Sequence, residues 1–129
     1  MSKLPLLFSA AAFYLALVGL GLIFVPRQFG IGAVPPDATP ALLAFLRIFG
    51  GPCLGIAVLN WASRNVPASP VQTNVILANT VGFAAVALVD VWGVFHGARP
   101  MAKVFLVVHL AFALAFLSAA WAQRLHPAR

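Results

Sequence analysis

Five polar residues stand among apolar neighbours that make them costly to keep: Arg47, Asp90, His109, Asn79 and Tyr14. An ionised side chain at a bilayer centre costs roughly 2.5–3.5 kcal/mol on insertion scales, so such residues normally face a protein interior and a partner. Asp90 is the one acid inside an apolar run, and Arg47 the one base buried deep in one. If their runs are antiparallel helices, Arg47 lies roughly 9 Å and Asp90 roughly 8 Å below the same membrane face, at 1.5 Å per residue. Matched depth predicts an Arg47–Asp90 ion pair, because a buried pair costs far less than two isolated charges. Such a pair serves as a structural clasp, as a counter-charge for a ligand headgroup, or as part of a proton path. His109 falls slightly deeper, roughly 12 Å from the same face. Asn79 precedes Asp90 by three helical turns and shares its face, with Gln72 nearly in line and Tyr14 near mid-depth on the first run. Together these residues make a polar track. The competing reading is structural: Asn79 and Tyr14 as interhelical glue worth about 0.6 kcal/mol each, and His109 as a satisfied interior histidine.

The elements that must hold them are read from composition. The chain has 129 residues, 63% hydrophobic and 8% charged, with mean hydropathy +1.02. Soluble domains carry about 25% charged residues, so an ordinary soluble globule is excluded. Four apolar runs, at about 5–25, 40–62, 70–95 and 100–121, match the ~20 residues that a helix needs to cross a bilayer. Each starts with proline, which suits a first helical turn whose N–H groups lack partners anyway. Thr39 and Ser69 stand just before two of those prolines as capping residues. The expected fold is an all-α integral membrane four-helix bundle, up-down-up-down, in one transmembrane domain over 1–129. The links are 26–39, 63–69 and 96–99, with Phe29 and Ile31 of the first expected at the interface. The apolar run after Lys3 continues to Val25, longer than a signal-peptide core, and reads as a retained first span.

Within the second run, Pro52 removes a backbone donor and crowds the carbonyl of Ile48, which predicts a kink at Gly50-Gly51-Pro52. Gly51 and Gly55 have GxxxG spacing, with Gly50 adjoining. Small residues of this kind let helices approach closely, with Gly19 and Gly21 as a partner surface inside the chain or with a second copy. Phe105, Phe112 and Phe116 surround His109 on the fourth run. They suit either a pocket for a flat or isoprenoid ligand or plain packing. Cys53, the only cysteine, is a small packing residue with no disulfide or metal partner. Asn60 and Asn74 read as helix-end polar residues, and His96 and His126 as loop or tail residues.

Net charge is +6, but the bases are spread along the chain, mostly at span ends where they meet lipid headgroups. No basic cluster supports nucleic-acid binding. Placing both termini in the cytoplasm puts Lys3, Arg64, Arg124 and Arg129 inside, against Arg27, Arg99 and Lys103 outside, which satisfies the positive-inside rule by one residue. A weak repeat recurs sixty residues on: Trp61-Ala62-Ser63-Arg64 against Trp121-Ala122-Gln123-Arg124, Phe45-Leu46 against Phe105-Leu106, Pro40 against Pro100. It suggests two helical hairpins, unless interfacial Trp and Arg simply recur wherever a span leaves the membrane. Phosphate loops, metal-ligand clusters, Ser/His/Asp sets and paired carboxylates are absent from the sequence. A haem between spans usually takes two axial histidines, and only His109 is well placed.

Arg47-x-x-Gly50-Gly51, Asn60-Trp61, Asn79 and His109, in a short four-span chain, resemble small bacterial four-span membrane proteins of the DoxX-like superfamily. The resemblance implies a bacterial inner-membrane location and, through some members, a quinone near the bundle. Three functions follow as expectations. The first is a non-enzymatic membrane protein binding a lipophilic small molecule or serving as an accessory subunit of a larger complex. The second is an oligomeric transporter or channel along Arg47, Asp90 and His109. The third is a quinone-linked oxidoreductase using His109 and Asp90 as acid–base groups. Expected partners are the lipid bilayer and a homo-oligomer or membrane complex.

Overall fold

A computed structural model describes residues 3–30, 32–98 and 100–125, with the side chain of Leu125 left aside. Ile31, Arg99, His126 and Arg129, and the expectations placed on them, lie outside the described residues. The fold is all-α: α1 (Leu4–Phe24), α2 (Pro26–Phe29), α3 (Pro40–Ser63), α4 (Pro70–Phe95) and α5 (Ala102–Leu125). Four of these helices are long and apolar enough to cross a membrane, as a membrane four-helix bundle requires. The 21 residues of α1 span about 31 Å, close to the ~30 Å hydrocarbon core.

The boundaries follow the chemistry at the helix ends. Thr39 Oγ1 accepts from Leu42 N–H at 3.2 Å, and Ser69 Oγ accepts from Gln72 N–H at 3.2 Å, as capping predicts. At the far end of α4 the chain turns through Gly97 at φ 61°, and Ala98 N–H donates to the Gly93 carbonyl at 2.9 Å. That is a Schellman closure, for which a left-handed glycine is the natural residue. Pro100 lies in the turn beyond, so α5 starts two residues later than its proline suggests and runs past Trp121 to Leu125. The short α2 is not evident from sequence. Its Pro26 fits a first turn, but four residues carry no readable periodicity.

The helices fall into two compact units. One covers Phe8–Ala62, and the other runs from Ser63 onward together with the first turn of α1 through Leu7. In the first unit α1 and α3 meet backbone to backbone at Gly19 and Gly50. A Cβ on Gly50 would stand 2.5 Å from Ile23 Cγ1 and 2.6 Å from the Gly19 carbonyl oxygen. One on Gly19 would stand 2.8 Å from Leu54 Cγ and 2.9 Å from the Gly50 oxygen. Gly21 lies against the Phe29 ring, whereas a Cβ at Gly51 or Gly55 would meet nothing within 4 Å. Close approach therefore runs through Gly50, one residue from the GxxxG pair. Pro52 sits inside a continuous α3, and its missing N–H leaves the Ile48 carbonyl without its usual helical donor. Arg27 fastens the α2–α3 link, donating from Nη1 to the Pro36 carbonyl at 2.6 Å and from Nη2 to the Ala38 carbonyl at 3.0 Å.

Candidate functional site

In the second unit the six-residue link makes α4 and α5 antiparallel neighbours. The buried residues of α4 include Gln72, Ile76, Asn79, Phe83, Ala87 and Asp90, three or four apart, which is one helical face. On α5, His109, Ala113, Phe116 and Ala120 are buried at the same spacing. Alanines among them bring the helices close enough for short polar side chains to meet. Asp90 and His109 do meet: His109 Nδ1 lies 2.5 Å from Asp90 Oδ2, with only 5% of Asp90 and 7% of His109 exposed. At that distance the ring N–H donates to the carboxylate, either from the neutral Nδ1–H tautomer or from imidazolium. A short, charge-assisted contact of this kind is among the stronger hydrogen bonds a protein makes.

Aromatic rings bracket the pair. The imidazole lies 6.1 Å from the Phe105 ring at an interplanar angle of 23° and 6.2 Å from Phe83 at 32°. Phe83 in turn stacks on Phe112 at 4.6 Å and on Phe116 at 6.1 Å. Phe112 and Phe116 of α5 thus pack with one ring from α4, while Phe105 stacks on the imidazole. Asn79 Nδ2 donates to the Val75 carbonyl of its own helix at 2.8 Å, and Thr80 Oγ1 to the Ile76 carbonyl at 2.9 Å. Among the described residues no buried side-chain nitrogen or oxygen lacks a hydrogen-bond partner, so the buried polar groups of α4 and α5 are satisfied within the protein.

Of the expected set, Asp90 and His109 meet, while Asn79 shares the buried face of α4 three turns away and bonds its own helix. Tyr14 and Arg47 belong to the other unit, Tyr14 half-buried and Arg47 exposed. Asn60, read as a helix-end residue, is fully buried, whereas Asn74 is exposed. Sequence reading named Asp90 and His109 together as acid–base groups but expected Arg47, not His109, as the partner in contact with Asp90. The signal was there: the two are nearly equidistant from the α4–α5 turn, and helices joined by so short a link must pack on each other. Among the described residues no group of three or more histidine, cysteine or acidic side chains could hold a metal ion.

A second polar cluster lies at the opposite end of the hairpin. Gln72 Nε2 donates to the Val66 carbonyl at 2.7 Å, Gln123 Nε2 to Gln72 Oε1 at 2.8 Å, and Thr73 Oγ1 to Gln123 Oε1 at 2.7 Å. No family model, curated protein or solved structure matches the chain.

Proposed function

We propose that this multi-pass membrane protein, of the DoxX-like kind and residing in a bacterial inner membrane, binds a lipophilic small molecule and does not itself catalyse a reaction. The observation that carries this reading is the Asp90–His109 contact at 2.5 Å. An ionisable pair kept inside a membrane protein is a candidate functional site by default, and this one offers hydrogen-bonding chemistry between aromatic faces. Such a setting suits a flat or isoprenoid ligand with a polar head: the head meets the pair, and the apolar body replaces phenyl and lipid contacts.

The test is co-elution of the detergent-solubilised protein with a short-chain benzoquinone and, separately, with a sterol. Retention of either by the native protein, reduced at least about tenfold in Asp90→Asn, supports the assignment, because one charge-assisted hydrogen bond is worth about that factor. Equal retention by native protein and variant removes the site. The same contact favours one second reading, acid–base work on a bound quinone by His109 and Asp90. Under that reading His109→Gln abolishes turnover while ligand retention persists.

A further inference from the structure

The Gln72–Gln123 cluster borders a hollow of about 450 Å³ that the Asp90–His109 site does not use. Its volume is within the ~300–1,000 Å³ of ordinary ligand sites. Its walls are the start of α1 at Leu4 and Pro5, the α3–α4 link with Arg64 and Val66, and Gln72 and Gln123. These are the ends of apolar spans, so the hollow lies at the level where bilayer meets water.

The hydrogen bonds fix the polarity of this hollow. The Val66 carbonyl can only accept, so the Gln72 amide must turn its Nε2 toward it. Gln72 Oε1 then faces Gln123, which must answer with its own Nε2. Gln123 Oε1 is left to take the Thr73 hydroxyl. Every step follows from one backbone carbonyl, so the amide orientations are chemically determined. Both amide oxygens are occupied inside the protein, while each amide nitrogen carries a second N–H beyond the bond it makes here. Arg64 adds a guanidinium, a donor-only cation, and none of the described residues lining the hollow is acidic.

From this hollow at the membrane surface, with amide donors, a guanidinium and no acid among its described residues, we infer a binding site for a phosphate ester, the head of an anionic phospholipid or a soluble glycerol phosphate. Arg64 meets the phosphate oxygens with its planar fork, the glutamine amides supply further donors, and Leu4 and Pro5 line the side toward the acyl chains.

The full chain, reconstituted in vesicles of equal phosphatidylglycerol and phosphatidylcholine and re-extracted in mild detergent, is assayed for retained lipid by mass spectrometry. Native protein retains phosphatidylglycerol in preference to phosphatidylcholine. Arg64→Gln lowers that preference about tenfold, the equivalent of one charge-assisted hydrogen bond. Arg64→Lys keeps part of it. Gln123→Leu, an independent change in the wall, lowers it too, which keeps the test valid should Arg64→Gln fold poorly by circular dichroism. Arg124→Gln, a neighbouring charge outside the hollow, leaves the preference intact. Displacement of the lipid by millimolar glycerol 3-phosphate assigns the site to soluble esters as well, and no displacement assigns it to lipid. Equal retention of the two lipids by native protein, or equal loss in Arg64→Gln and Arg124→Gln, overturns the inference.

Discussion

Asp90 and His109 show how membrane burial makes a polar contact consequential. Once helices close around them, neither can exchange its partner for water, so breaking the pair from one side is far costlier than removing both. His109→Leu should therefore destabilise the protein by about 3–5 kcal/mol, the penalty for leaving a buried carboxylate without its partner. The double change Asp90→Leu/His109→Leu should cost clearly less than His109→Leu alone, since apolar replacement of a whole buried pair is often nearly neutral. Unfolding in mixed micelles, read by circular dichroism, measures both. Equal losses in the single and double variants would show that the two side chains do not act as a unit.

At the scale of elements, glycine position decides how α1 and α3 pack. Gly50→Ala drives a methyl group against the Gly19 carbonyl, at 2.6 Å, and should cost about 1–3 kcal/mol as an overpacked contact. Gly55→Ala meets nothing within 4 Å and should be neutral or stabilising by about 0.5–1 kcal/mol, since alanine is the better helix former. If the two variants unfold alike, the Gly19–Gly50 approach is not the closest contact between these helices. Likewise Ser69→Ala should cost about 1 kcal/mol through loss of the α4 cap. The spans were legible in the sequence because apolar length, prolines and caps are local signals, and three of the four starts fall within one residue of expectation. The Gly50 contact was less legible than the GxxxG pattern beside it, because spacing shows which residues are small but not which way a helix is turned. The Asp90–His109 pair demanded knowing which spans are neighbours, a tertiary fact that depth alone left open between Arg47 and His109. The fourth start was misplaced because Pro100 suits a turn as well as a first helical turn.

For the whole molecule, the two compact units split the chain at Ser63, close to where the weak sixty-residue repeat divides it. The repeated Trp-Ala-x-Arg segment recurs where α3 and α5 end, and the unit boundary falls within its first copy, between Ala62 and Ser63. The α4–α5 hairpin is thus the proposed ligand site, with a phosphate headgroup proposed at its Gln72 end. The Asp90–His109 pair is the proposed binding centre for the lipophilic ligand. The most direct test is native mass spectrometry of the protein released from mild detergent, run beside Asp90→Asn and His109→Gln. The expected result is one lipophilic molecule of defined mass, other than a phospholipid, on the native protein and its loss from both variants, with Gln72→Ala retaining it. A native protein that flies bare, or variants that keep the same adduct, would contradict it.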